Sequence, residues 1–256
     1  MRRFHSAFFT AVVLLAPVSS ATADDREVAA IVDKAIEALG GEDKLSNIEA
    51  VTWKTTGWMN MLFQGAEHFK YTGELTIAGL DRSRSELIML DSGGDKHRIR
   101  SVLNGDNAWL SWGDVPSKPT RHAAALKRNL YLAMIPVTLA PLRDPRFKIE
   151  SGRDEKVGNR PAAVLNVTCP DGETIKISFD KESGLPLKAV GKALIMDDVD
   201  MNLDVTQEMI YSNYKDFGGI KTAAQIDFKG DWFNRKLEVI EFKVLKKVDP
   251  SLFSSR

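Results

Sequence analysis

Residues 173–190 have the sequence ETIKISFDKESGLPLKAV, and they begin the longer stretch that decides the fold. Ile175, Ile177 and Phe179 alternate with polar neighbours, which is typical of a half-buried β-strand. A polar loop ending in Gly184 follows, and apolar residues then alternate with polar ones again. The pattern therefore predicts a β-hairpin.

The strand pattern continues as far as residue 244, and residues 173–244 predict five antiparallel strands in succession. The pair Gly218 and Gly219 permits a tight reversal between two of these strands. In the last strand, residues 235–246, the apolar face changes sides half-way along. This change of phase predicts a β-bulge.

Strand patterns also fill the chain before this meander, after one helix. Residues 24–39 place apolar side chains at helical spacing, and Gly40 is a suitable stop. In the strands that follow, Gly57 suggests a bend or a close approach, and Asn104-Gly105 is the strongest hairpin signal. The predicted strands are residues 50–63, 67–77, 84–91, 96–103 and 107–112.

One helical pattern interrupts the strands, over residues 118–136, with Thr120 as a candidate N-cap and Pro136 as a stop. Strands resume at residues 146–151 and 160–169. We therefore expect a mainly β protein of the α+β class, with about ten antiparallel strands, an N-terminal helix and one inserted helix.

The first 23 residues have the three parts of a secretory signal. These are Arg2 and Arg3, an apolar run over residues 7–18, and Ala21-Thr-Ala23 as a cleavage site. The apolar run is shorter than the roughly 20 residues that span a bilayer, which argues against a retained anchor. We expect cleavage after Ala23, export to the periplasm, and one domain over residues 24–256.

Composition excludes several classes of protein. A chain with 43% hydrophobic and 27% charged residues is not disordered. Its 35 basic residues balance its 35 acidic ones, which argues against a nucleic-acid partner. Cys169 is the only cysteine, so no internal disulfide forms, and a buried inert thiol is favoured over a reactive one.

Four stretches resemble motifs of the LolA/LolB-like family of periplasmic lipoprotein carriers. They are ALGGEDKLSNI at residues 38–48, NGDNAW at 104–109, FDKESGLPL at 179–187 and YSNYKDFGGI at 211–220. Relatives usually have a proline soon after the last motif, and KTAA at residues 221–224 replaces it here. The resemblance implies one strongly curved antiparallel sheet, an incomplete barrel, whose concave apolar face is covered by helices and accepts acyl chains.

Catalytic and metal-binding motifs are missing from the sequence. His68, His97 and His122 each stand alone, as surface or capping histidines do, and no nucleophile elbow, phosphate loop or dinucleotide fingerprint is present. The carboxylates of residues 197–204 have the oxygen ligands that Ca²⁺ prefers but lack the EF-hand pattern, so a solvated acidic loop is favoured. We expect no enzymatic activity, no cofactor and no metal.

The candidate ligand-binding residues are large apolar side chains from the first strands and the inserted helix. An ordinary core would account for most tryptophans, but adaptable methionines also suit a flexible apolar ligand. A bulge at Gly57 would move part of the first strand out of phase. The candidates are Trp53, Met59, Met61, Phe63, Trp109, Trp112, Leu126, Leu130 and Met134.

The function expected from these features and the resemblance is non-catalytic carriage of a lipid or lipoprotein acyl chain, with both helices as lids. Each buried methylene contributes about 0.8 kcal/mol, so an apolar cavity suffices for binding. The alternative is a binding or sensory module of the same fold that recognises a membrane-associated protein partner without transferring lipid. A sealed core would favour that module, and a polar pocket with converging titratable groups would favour an enzyme.

Overall fold

The computed structural model of the chain describes residues 23–61, 67–115, 117–194, 204–230 and 233–255. Residues 1–22 of the predicted signal, residues 1–23, lie outside the described residues, as do Phe63 and residues 197–203 of the acidic stretch. The backbone of Met61 is described, and its side chain is not.

Thirteen strands of the described residues form one antiparallel sheet. Its strand order is β6-β5-β4-β3-β2-β1-β13-β12-β11-β10-β9-β8-β7. Two meanders therefore meet where the first long strand pairs with the last, and because β6 and β7 are edges the sheet is an incomplete barrel. The strands are β1 Ala50–Met61, β2 Glu67–Ala78, β3 Arg82–Leu90, β4 Lys96–Asn104, β5 Asn107–Trp112, β6 Lys118–Pro119, β7 Lys148–Val157, β8 Arg160–Thr168, β9 Thr174–Asp180, β10 Pro186–Leu194, β11 Asp204–Asp216, β12 Lys221–Lys229 and β13 Phe233–Leu245.

The predicted five-strand meander is confirmed as β9 to β13. The strand predicted at residues 146–151 is wrong at its end, because β7 continues to Val157. As an edge strand, β7 exposes many of its polar side chains, so no apolar alternation marks its second half.

Three α-helices accompany the sheet in the described part of the chain: α1 Ala23–Leu39, α2 Glu42–Leu45 and α3 Ala123–Thr138. Short 3-10 turns follow at Ala140–Leu142 and Pro250–Phe253. The N-terminal helix is confirmed as α1. Of the described helices, none has the length and apolar character needed to cross a membrane.

The predicted bulge in the last strand is confirmed. Lys54 of β1 pairs with Glu241, but Thr55 pairs with Val239, which leaves Ile240 as the extra residue. The side chain of Ile240 is 62% exposed. Because of the bulge, apolar residues of β13 face the core both before and after this position.

Gly57 marks a close approach of strands rather than a bulge. The pairing of β1 with β2 runs through this residue without a shift. A Cβ atom at Gly57 would lie 1.9 Å from the carbonyl oxygen of Lys236 in β13. Trp53 and Met59 therefore stay in phase on one face of β1.

The inserted helix begins later than predicted. Lys118–Pro119 form strand β6 against β5, so α3 starts at Ala123. Thr120 is not the N-cap, a position that His122 occupies. The Thr120 hydroxyl instead accepts a hydrogen bond from the backbone N–H of His122, at 3.3 Å.

The inserted helix also ends later than predicted, because Pro136 lies inside it. A proline has no N–H to donate to the carbonyl oxygen four residues earlier, here that of Leu132. The hydroxyl of Tyr211 in β11 donates to that oxygen instead, at 3.3 Å. With this oxygen satisfied, the helix continues to Thr138.

Helices α3 and α1 cover only part of the concave face. Helix α3 packs against β10 and β12, and α1 packs against β7. A Cβ atom at Gly191 of β10 would lie 3.5 Å from Leu132 of α3, so helix and sheet are in close contact. The candidate site lies on the remaining concave surface, on β1 to β5 and β13.

Candidate functional site

A cavity of about 250 Å³ lies between α3 and the concave face of β1 to β5, β11, β12 and β13. Most of the side chains around it are apolar. The lining residues include Trp53, Met59, Leu75, Ile77, Leu87, Ile99, Leu110, Met209, Ile226, Phe228, Leu237, Val239 and Phe242.

The cavity exists because the inward positions of three neighbouring strands carry small side chains. Gly73 of β2, Ser83 and Ser85 of β3, and Ser101 of β4 all line it. Ser85 and Ser101 face each other across the β3–β4 pair. Because such residues have little volume, the concave face is left unfilled where larger residues would have closed it.

One side of α3 forms the wall opposite these strands. Its lining residues recur at helical spacing and are Leu126, Asn129, Leu130, Ala133 and Val137. The other side of the helix packs into the main core, where Leu132 and Ile135 have no exposed surface. The two sides of the helix therefore differ, since one lines the cavity and the other is packed in the core.

Two ion pairs hold α3 at its N-terminal half. Lys127 contacts Asp106, in the β4–β5 turn, at 2.6 Å, and Arg128 contacts Asp171 at 2.8 Å. Arg128 is buried, and a charge in that position requires a partner. One ion pair thus ties the helix to the β4–β5 turn, and the other ties it to the turn between β8 and β9.

A cation marks one end of the cavity. Arg235 of β13 is half-buried and donates a hydrogen bond from Nε to the Tyr71 hydroxyl at 2.6 Å. Burial raises the pKa of Tyr71, and the neighbouring Arg235 opposes that rise. The phenol consequently keeps its proton and remains a neutral partner of the arginine.

The structure brings four of the predicted site residues together on the cavity. Trp53 and Met59 reach it from β1, and Leu126 and Leu130 reach it from α3. Met61 and Phe63 lie outside the described side chains.

The other three predicted site residues do not line the cavity. Trp112 is on the concave face but packs beside Ile99, past the end of the cavity. Met134 is buried in the core on the other side of α3. Trp109 faces the convex side, where it packs with Phe253, because strand alternation turns it away from Ala108 and Leu110.

Sequence reasoning missed the residues that create and mark the cavity. Ser83, Ser85 and Ser101 are small polar residues at inward positions, and Arg235 is a charged one. A search for large apolar side chains passes over all four. The three serines could have been found from their period-two spacing with Leu87 and Ile99, which places them on the same faces of their strands.

Of the other reactive groups, His122 is buried and lines the cavity at the start of α3, whereas Cys169 and His97 do not line it. Cys169 is buried, as predicted, and burial raises the pKa of its thiol to about 12. His97 contacts Asp91 at 3.0 Å in a partly exposed pair. Within the described ranges, no group of three or more His, Cys, Asp or Glu residues could hold a metal ion.

Comparison with known proteins gives a likeness at the level of structure. No protein-family model and no curated protein matches the chain. A LolA superfamily protein from Nitrosomonas europaea aligns with 89% of this chain and 97% of its own, at 12% identity and a TM-score of 0.52. A DUF1329 family protein from Desulfovibrio piger aligns over the same shares, at 11% identity and a TM-score of 0.55.

A third solved structure is also similar to this chain. It is a domain from Vibrio parahaemolyticus described as an outer membrane lipoprotein-sorting protein, with 13% identity and a TM-score of 0.51. The alignment covers 82% of this chain and 93% of that one. The incomplete barrel, its inserted helix and these three likenesses agree, and the chain has the LolA-like fold.

Proposed function

We propose that the protein is an exported, non-catalytic carrier that holds the alkyl chain of a lipid or lipoprotein in the cavity. The observation that supports this proposal is an apolar cavity between α3 and the sheet, lined by Trp53, Met59 and Leu130. Such enclosed apolar surface is typical of small-molecule sites.

The energetics support binding without a polar clamp along the chain. Each methylene moved from water into apolar surroundings contributes about 0.8 kcal/mol. Roughly ten methylenes would therefore contribute about 8 kcal/mol, before the cost of ordering the ligand. Micromolar affinity corresponds to about 8 kcal/mol net of that cost, so the apolar contacts of such a chain supply most of the binding free energy rather than all of it.

Helix α3 would be the lid in this proposal. Its lining side is apolar, and the ion pair of Lys127 with Asp106 ties its N-terminal half to the sheet rim. The N-terminal helix is not included, because no described residue of α1 lines the cavity. Opening of its N-terminal half, which carries Leu126, would let the ligand enter the cavity.

Export and domain organisation belong to the same proposal. The basic, apolar and small-residue segments of residues 1–23 support secretion to the periplasm. The remaining chain, residues 24–256, would be the carrier domain. A periplasmic location would place it where it could receive lipid or lipoprotein from a membrane-associated partner.

Uptake of a fluorescent fatty acid, dansyl-undecanoic acid, tests the proposal on delipidated protein. We expect wild type to take it up at micromolar concentrations, and Ala133→Phe to lose uptake because the ring fills the cavity. Ala29→Phe, on the exposed side of α1, is the matched control and should bind as wild type does.

Absence of uptake by the wild-type protein would overturn the carrier function. The module that recognises a protein partner would then be the remaining hypothesis. Equal uptake by wild type and Ala133→Phe would show that the dye binds elsewhere, which would also contradict the proposal.

A further inference from the structure

Two aromatic rings hold the arginine at the end of the cavity. The guanidinium carbon of Arg235 lies 4.3 Å from the ring centre of Tyr71 and 5.3 Å from that of Phe228. The Tyr71 hydroxyl accepts from Nε of Arg235 and donates to the carbonyl oxygen of Lys236, at 3.2 Å. The guanidinium is therefore oriented before any ligand arrives.

The glycine in the middle of β1 makes this arrangement possible. Tyr71 is paired with Gly57 across β1 and β2. Its hydroxyl lies 3.0 Å from where a Cβ atom of Gly57 would be, so any side chain there would obstruct the ring. The tyrosine thus reaches across β1 to the arginine of β13.

The outer nitrogens of this guanidinium have no partner among the described residues, so they can meet a ligand. Within the described part of the chain, Arg235 makes only the Nε hydrogen bond and the two ring contacts. Its two terminal nitrogens form the fork that binds carboxylate or phosphate with two parallel hydrogen bonds. Such a bond is stronger in apolar surroundings than in water.

Other charged groups around the cavity do not neutralise this end. Glu74 stands next to Leu75, which packs into the core on the concave side, so strand alternation turns the carboxylate to the convex face. His122 also lines the cavity, at the start of α3, and a histidine carries no negative charge that could neutralise the arginine. Among the described residues that line the cavity, Arg235 is therefore the charged group that a ligand meets.

We propose that the cavity binds an amphiphile with one alkyl chain and an anionic head group, whose carboxylate or phosphate oxygens Arg235 holds. This inference rests on the proposed carrier function and narrows its ligand. The cavity of about 250 Å³ lies just below the range of about 300 to 1,000 Å³ usual for ligand pockets, which favours one chain over several. The chain would run from Arg235 towards Trp53.

Calorimetric titration with four probes tests the head group. Dodecanoate and dodecyl phosphate carry the two candidate oxyanions, monododecanoyl glycerol carries an uncharged head on the same length of chain, and acetate carries the charge without the chain. We expect at least one anionic amphiphile to bind wild type about tenfold or more tighter than the glyceryl ester, since a hydrogen bond to a charged group is worth that factor. Comparing the affinities for dodecanoate and dodecyl phosphate shows whether Arg235 prefers a carboxylate or a phosphate.

Substitutions then assign the preference to one side chain. Arg235→Gln should lose the preference for the anion over the glyceryl ester, whereas Arg235→Lys should keep part of it. Lys236→Gln removes one positive charge from the neighbouring residue and is the matched control, with the preference unchanged. Thermal melting checks that each variant is folded.

Three outcomes of the titrations would contradict one of the two proposals. Equal affinity of wild type for dodecanoate, dodecyl phosphate and the ester would overturn this inference and leave the carrier function standing. Acetate binding as tightly as dodecanoate would replace the amphiphile with a small anion and also overturn it. Failure of every amphiphile to bind would overturn the carrier function itself.

Discussion

The two halves of the sheet follow the same alternation of inward and outward residues, yet one is filled and the other encloses a cavity. On β8 to β11 the inward residues, such as Leu165, Ile177 and Tyr211, meet the buried side of α3. On β2 to β4 the corresponding positions include Ser85 and Ser101, and the cavity lies above them. Side-chain volume at inward positions, rather than strand geometry, separates a core from a binding site.

The inserted helix serves both halves at once. Its core side is fully buried at Leu132, and its cavity side is only partly buried at Leu126. The same helix therefore offers matched positions at which the two halves can be compared directly.

The largest effect should come from a charge placed on each side of this helix. Leu132→Asp would bury an unpaired carboxylate at a cost of several kcal/mol, a large part of the roughly 5–15 kcal/mol that stabilises a domain. Leu126→Asp should cost about 1 kcal/mol or less, since the carboxylate reaches the cavity and lies near the helix N-terminus. Urea unfolding measures both.

Similar losses of stability in the two variants would contradict the distinction between the filled and the open half. Leu126→Asp should at the same time lower uptake of dansyl-undecanoic acid, because it introduces a negative charge into the apolar lining. That readout separates a cavity-facing residue from one that is merely exposed.

An intermediate effect is expected at the hydrogen bond that allows the helix to pass its proline. Burial raises the pKa of Tyr211, so its hydroxyl stays protonated and donates to Leu132. Tyr211→Phe leaves that buried carbonyl unpaired, which should cost about 1–3 kcal/mol. In a Pro136→Ala background the restored N–H can take over, and the same change should cost less.

A double-mutant cycle by urea unfolding provides this measurement. Additive effects of Tyr211→Phe and Pro136→Ala would show that the two groups do not share the Leu132 oxygen. The cycle tests the filled half alone, because neither residue lines the cavity.

The smallest effect concerns the outer face of the filled half. Burial alone would raise the pKa of Glu155, but hydrogen bonds from Lys176, Lys188 and Ser178 outweigh it and lower the pKa from 4.5 to about 2. A depressed folded-state pKa adds stability above pH 4.5 that is lost as the pH falls towards 2. Glu155→Gln should therefore destabilise the protein at neutral pH and less so near pH 3.

Urea unfolding of wild type and Glu155→Gln at both pH values provides the comparison. A difference in stability that stays constant from neutral pH to about pH 3 would contradict the role given to this carboxylate. Uptake of the fluorescent fatty acid should be the same in both proteins, since the cluster lies on the convex side of β7, β9 and β10.

Much of the fold was predictable because strand alternation and turn residues are local signals. The alternation from Ile175 onwards predicted the meander, and the change of phase in the last strand predicted the bulge at Ile240. The bounds of α3 were not predictable. Whether Pro136 ends a helix depends on Tyr211, a residue 75 positions further along the chain that supplies the missing hydrogen bond.

The sequence by itself determined most of the strands, the N-terminal helix and which residues of each strand share a face, because these follow from neighbours in the chain. Tertiary structure alone decided which inward faces were filled. Trp109 and Met134 have the composition of ligand-lining residues but lie on the convex face and in the core, while Ser85, Ser101 and Arg235 surround the cavity. The reason is that a cavity depends on side-chain volume at inward positions together with the strands against which α3 packs, and that packing joins residues far apart in the sequence.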